Sequence, residues 1–93
     1  MEFMKRLEAV VSGRVQGVSF RYYTQRKAIE LGVVGWVRNE TNGNVRLVAE
    51  GSEEGLQGLL EFIKEGPPHA RVSECDFQWS EPQGQFKRFR IAH

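Results

Sequence analysis

An α+β sandwich of two layers, with both helices on one face of an antiparallel sheet, is the fold that the sequence predicts. Three observations lead there. Segments that alternate between two faces open and close the chain, two segments between them carry apolar residues at helical spacing, and an Asn-Gly pair joins two strands in the middle. In chain order these read β-α-β-β-α-β with a short extra strand.

Arg6–Ser12 alternates, with Leu7, Ala9 and Val11 on one face and Glu8, Val10 and Ser12 on the other, as a half-buried strand does. After a loop starting at Gly13, Phe20, Thr24, Ala28 and Leu31 recur at helical spacing, so a helix is expected over Arg21–Leu31, stopped by Gly32. Val34–Glu40 and Val45–Glu50 are strands joined through Thr41-Asn42-Gly43-Asn44, where Asn-Gly suits the positive φ angles of a tight hairpin turn. Ser52 can cap a second helix, whose Leu56, Leu59, Leu60 and Ile63 form one stripe ended by Gly66-Pro67-Pro68. Val72–Trp79 places Cys75, Phe77 and Trp79 on one side, and Phe86–Ile91 places Phe89 and Ile91 on one side. Two apolar stripes are buried together when both helices lie on one face of the sheet, which gives a ferredoxin-like sandwich.

Composition bounds what such a domain can be. At 93 residues, 40% apolar and 27% charged, the chain is expected to form one domain over 1–93 with a single core. Leu31–Val37 is the longest nearly apolar stretch, is interrupted by glycine and is too short for a bilayer; Met1–Arg6 is not followed by a signal-peptide run. With one cysteine, Cys75, there is no internal disulfide and no cysteine cluster for zinc, which fits a soluble cytoplasmic protein. A formal net charge of +1 gives no overall field for nucleic acid or an anionic membrane.

The two helices differ in how their charges meet the helix dipole. The second carries Glu53 and Glu54 in its first turn and Lys64 near its end, as the dipole favours. In the first the order is inverted: Arg21, Arg26 and Lys27 occupy its first two turns and Glu30 sits near its end. Each misplaced surface charge costs on the order of 0.3–1 kcal/mol, and a bound anion would remove that penalty. The loop Gly13-Arg14-Val15-Gln16-Gly17-Val18-Ser19 suits one, because amides at a helix start lack intrahelical acceptors and flanking glycines let several converge. Val15, Gln16, Gly17, Val18, Ser19 and Phe20 would offer amides, and the planar guanidinium of Arg21 would clamp two oxygens. A glycine-bounded turn with a solvated arginine is the plainer alternative. The loop is neither a P-loop, since no Gly-Lys-Ser/Thr follows, nor a dinucleotide fingerprint.

Gly13-Arg14-Val15-Gln16-Gly17-Val18-Ser19-Phe20-Arg21 resembles the first signature of the acylphosphatases, and Gly35-Trp36-Val37-Arg38-Asn39 with Gly43 and Val45 resembles the second. The resemblance runs over nearly the whole chain. It implies hydrolysis of a small-molecule acyl phosphate to a carboxylate and inorganic phosphate, without metal or cofactor and with phosphate as competitive inhibitor. The chain is also expected to act as a monomer, without nucleic-acid or membrane partners. By the same resemblance Arg21 is the phosphate-binding arginine and Asn39 the asparagine that positions the attacking water. The chemistry is consistent with such a site, because the leaving carboxylate is a weak base and phosphoryl transfer asks mainly for positioning and charge stabilisation.

Asn39 has a plainer reading as the start of the turn, although strand parity puts it beside Val37, on the side the helices would cover. Cys75 reads as a small core residue, His69 and His93 as exposed, and Arg88 and Arg90 as the solvated face flanking Phe89. Two non-catalytic readings share the fold: a module that binds phosphate-bearing metabolites, and an RNA-binding module, whose K/R-G-F/Y-G/A-F-V-x-F/Y signature is absent. A fragment of a larger carbamoyl-transfer protein with a similar domain is disfavoured by the initial Met.

Overall fold

The computed structural model describes residues 4–93. Its elements are β1 (Met4–Arg14), α1 (Phe20–Leu31), β2 (Val34–Asn39), β3 (Val45–Ser52), α2 (Glu53–Glu65), β4 (Arg71–Ser80) and β5 (Phe89–Ile91). They form one five-stranded sheet in the order β4-β1-β3-β2-β5. The β4, β1, β3 and β2 pairings are antiparallel, as the sequence implied. The β2–β5 pairing is parallel, so the sheet is mixed rather than wholly antiparallel. A parallel partner follows because the chain crosses the sheet after β4 before adding its last strand.

Both apolar stripes are buried between the helices and the sheet. Phe20, Thr24 and Ala28 of α1 and Leu56, Leu59, Leu60 and Ile63 of α2 are buried against Leu7, Ala9 and Val11 of β1 and Val45, Leu47 and Ala49 of β3. Strand parity then assigns Arg6, Glu8, Arg46, Val48 and Glu50 to the opposite face. Val48 and Glu50 are nonetheless buried. For Glu50 the β4–β5 connection explains this: the Gln83 and Gly84 amides donate to the two Glu50 carboxylate oxygens at 2.8 and 3.0 Å, strapping the connection across that face.

Two expectations shift at the C-terminal end. The strand expected over Phe86–Ile91 shrinks to Phe89–Ile91, because Phe86 belongs to the strap, where the Arg6 guanidinium lies 5.7 Å from its ring centroid. Cys75, Phe77 and Trp79 do pair with core-facing β1 positions, but β4 is an edge strand. Phe77 therefore stays exposed, with the Lys64 ammonium 4.7 Å from its ring centroid. In the hairpin only Gly43 takes a positive φ, of 95°, not the Asn-Gly pair, because the loop closes with Gly43 N–H donating to Glu40 O (3.2 Å). The Asn42 side chain instead accepts from the Asn44 amide at 3.0 Å.

Candidate active site

The loop between β1 and α1 owes its shape to backbone conformation. Gly17 has φ 75°, and Ser19, in the N-cap position of α1, has φ 61° and ψ 26°. A left-handed N-cap is unusual, since capping residues ordinarily take extended angles and accept an amide through the side chain. Ser52 does this for α2, accepting from Gly55 N–H at 3.0 Å, whereas Ser19 makes no such bond. The first amide of α1 to find an acceptor is Tyr23, which donates to Ser19 O at 3.1 Å. Among the described residues, no amide of 16–22 donates in a turn, loop or side-chain hydrogen bond. Alternation of left-handed residues with their neighbours is the geometry of backbone nests, whose amides converge on an anion.

Charge reinforces the geometry. The first turn of α1 holds no acidic residue, while that of α2 holds Glu53 and Glu54. Arg21 is half-buried and has no carboxylate within ion-pair distance among the described residues. Lys27 differs, reaching Glu30 at 3.7 Å, and Arg26 lies over Tyr22 with its Nη1 donating to the Tyr22 hydroxyl at 3.2 Å. Of the three cations in the first two turns of α1, Arg21 is the one left without a protein partner among the described residues.

Asn39 ends β2 on the side of buried Val37, as parity implied, and its side chain makes no hydrogen bond among the described residues. Arg21 and Asn39 line one cavity of about 500 Å³ with the loop residues Val15, Gly17, Ser19 and Phe20. Gln16 and Val18 do not line it; Val18 faces a separate recess shared with Arg14 and His69. Tyr22, Ile91 and His93 complete the wall. His93 is exposed, as expected, yet borders the site, a position hidden from composition but implied by its parity with Ile91. A second cavity of about 480 Å³, bordered by Trp36, Arg38, Arg88 and Arg90, contains none of the loop.

The Gln16 side chain is engaged elsewhere. Its Nε2 donates to Glu40 O and Asn44 O, both at 2.8 Å, and so bridges the loop to the base of the β2–β3 hairpin. Sequence reading assigned Gln16 only a backbone role, since a contact 24 residues away leaves no local signature. Cys75 lies outside the cavity, and burial pushes its thiol above the usual range, with Lys64 opposing, so it is a poor nucleophile at neutral pH.

Fold and site together define a ferredoxin-like α+β protein in which loop amides and a guanidinium without partners among the described residues meet a strand-end asparagine at one cavity. The acylphosphatase family profile matches residues 7–91. An acylphosphatase of Salinibacter ruber is 51% identical over 87 residues, covering 94% of this chain and 92% of its own. The crystal structure of acylphosphatase from Bacillus subtilis superposes with a TM-score of 0.92 at 37% identity, over 96% of this chain and 99% of that one. An acylphosphatase structure from Coxiella burnetii gives a TM-score of 0.86 at 38% identity, over 97% and 94% of the two chains. The chain belongs to the acylphosphatase family.

Proposed function

We propose that this protein hydrolyses an acyl phosphate to a carboxylate and inorganic phosphate, with the loop of residues 15–20 and Arg21 holding the phosphoryl group and Asn39 holding the attacking water. The observation that carries these assignments is the set of loop amides that, among the described residues, have no acceptor, bordering the same cavity as an arginine and a side-chain amide likewise without partners there. Preorganised donors aimed where charge develops stabilise the transferring group without reorganisation during reaction. Arg21 adds a bidentate, permanently charged clamp. Water held by the Asn39 amide attacks phosphorus opposite the acyl oxygen; the new P–O bond forms as the old one breaks and the electron pair leaves with the carboxylate. The water proton passes to a phosphoryl oxygen of the substrate, so the residues lining the site need supply no strong base.

This reading takes residues 1–93 as one domain acting as a monomer in the cytoplasm. No helix among the described residues is long and apolar enough to cross a membrane. Strapping of the sheet face opposite the helices by the β4–β5 connection also disfavours RNA binding there, since RNA-recognition modules need exposed aromatics on central strands.

The test is hydrolysis of benzoyl phosphate with EDTA present, followed by competition with inorganic phosphate. Asn39→Ala should lower kcat by about 10²-fold or more and leave the phosphate inhibition constant nearly unchanged, because it removes water positioning alone. Arg21→Ala should lose both turnover and phosphate affinity. Full activity in both variants, or a requirement for a divalent ion, would reject the assignment.

A further inference from the structure

The loop and Asn39 come from different parts of the chain, so their separation must be fixed by something between them. Gln16 immediately precedes Gly17, and Glu40 immediately follows Asn39. Between these positions lie the two hydrogen bonds from Gln16 Nε2, to Glu40 O and Asn44 O, at 2.8 Å each. A carboxamide nitrogen has two hydrogens, and both are used. Each acceptor already serves the hairpin: Asn44 O accepts from Glu40 N–H at 2.8 Å, and Glu40 O from Gly43 N–H at 3.2 Å. The amide therefore takes the second lone pair of each carbonyl, and removing it breaks no bond within the hairpin.

We propose that the Gln16 side chain is a positioning residue, whose amide sets the distance between the phosphoryl-binding loop and the water held by Asn39. The inference rests on the reading of Asn39 given above. The brace runs from the Gln16 side chain, within the loop, to the backbone just past Asn39, so its loss shifts the loop relative to Asn39 without removing a loop amide, Arg21 or the Asn39 side chain. Arg21 and the loop amides form one local unit, so phosphate affinity survives the shift. In-line geometry, which needs the reacting atoms within a fraction of an ångström, does not survive it.

Gln16→Met keeps the length and volume of the side chain and deletes both donors. It should lower kcat for benzoyl phosphate by about 10- to 100-fold, while the inhibition constant of inorganic phosphate moves less than about threefold. The double variant with Asn39→Ala should lose no more than Asn39→Ala alone, since the two act through the same water. Gln16→Lys, whose ammonium can reach both carbonyls, should stay folded and recover kcat to within about tenfold of the starting protein. It serves as the readout if the methionine variant unfolds. Unchanged kcat in Gln16→Met, equal losses in kcat and phosphate affinity, additive losses in the double variant, or a folded Gln16→Lys no more active than Asn39→Ala would each overturn the proposal. An active Asn39→Ala variant would instead remove the reading on which it rests.

Discussion

Arg6 and Glu50 face each other across β1 and β3, with Arg6 Nη1 donating to Glu50 Oε2 at 2.7 Å and their side chains 12% and 4% exposed. The same carboxylate accepts the Gln83 and Gly84 amides, so one ion pair fastens the strap that leads into β5. Because Ile91 of β5 and the adjoining His93 border the candidate site, the clamp links sheet stability to the cavity wall.

Burial alone would raise the Glu50 carboxyl, but the Gln83 amide, the Arg6 guanidinium and the Gly84 amide outweigh it and hold the group below the usual carboxylate range. A depressed acid contributes stability above its unfolded value, about 4.3 for glutamate, and that contribution is lost as pH falls through the folded value. Urea unfolding at pH 7 and pH 3 should therefore show acid destabilisation that shrinks in Glu50→Gln. The variant itself should be about 1.5–3 kcal/mol less stable at pH 7, having lost the charge on which three donors converge. Equal pH dependence in the two proteins would show that the pair contributes nothing across this range.

Thr24 points into the core from α1, fully buried, and its hydroxyl has no hydrogen-bond partner among the described residues. An unsatisfied buried hydroxyl costs about 1–3 kcal/mol, and valine fills nearly the same volume. Thr24→Val should raise the urea midpoint and leave benzoyl phosphate hydrolysis unchanged, because Thr24 does not line the cavity. A destabilised variant would mean that the hydroxyl finds an acceptor in solution, most directly the carbonyl one turn earlier.

What was legible in the sequence followed local rules. The stripe of Leu56, Leu59, Leu60 and Ile63 is buried as its spacing implied, and the parity of Val37 with Asn39 foretold the side of the sheet on which the asparagine emerges. Inverted charge on α1 pointed to the loop, where Ser19 takes a left-handed conformation without a side-chain cap. What escaped were features made by long-range closure. The parallel pairing of β5, the Glu50 clamp and the Gln16 bridge each join residues more than twenty positions apart. Neither periodicity nor turn chemistry carries such a distance. Phe77 misled for the same reason, since alternation says which face a residue takes but not whether its strand lies at an edge.

Two glycines separate what the site demands of the backbone from what the fold demands. At Gly17, φ is +75° and a Cβ would meet nothing within 4 Å among the described residues, so alanine there suffers only the left-handed penalty, roughly 1–2 kcal/mol. The loop escapes that penalty by turning its amides, which is how the anion cradle would be lost. At Gly35, φ is +146° and a Cβ would lie 1.9 Å from Val48 O and 2.8 Å from Ala49 Cα, so β2 and β3 would have to part. Gly17→Ala should thus weaken competitive inhibition by phosphate at least about tenfold while the protein stays folded, a loss equivalent to about 1.4 kcal/mol of binding. Gly35→Ala should lose more than about 3 kcal/mol of stability, beyond ordinary overpacking because the obstruction is backbone. Its remaining folded fraction should still bind phosphate. Inhibition titrations beside urea curves for both variants decide the point: a Gly17→Ala protein that binds phosphate as tightly as before would show that the amide loop does not hold the anion.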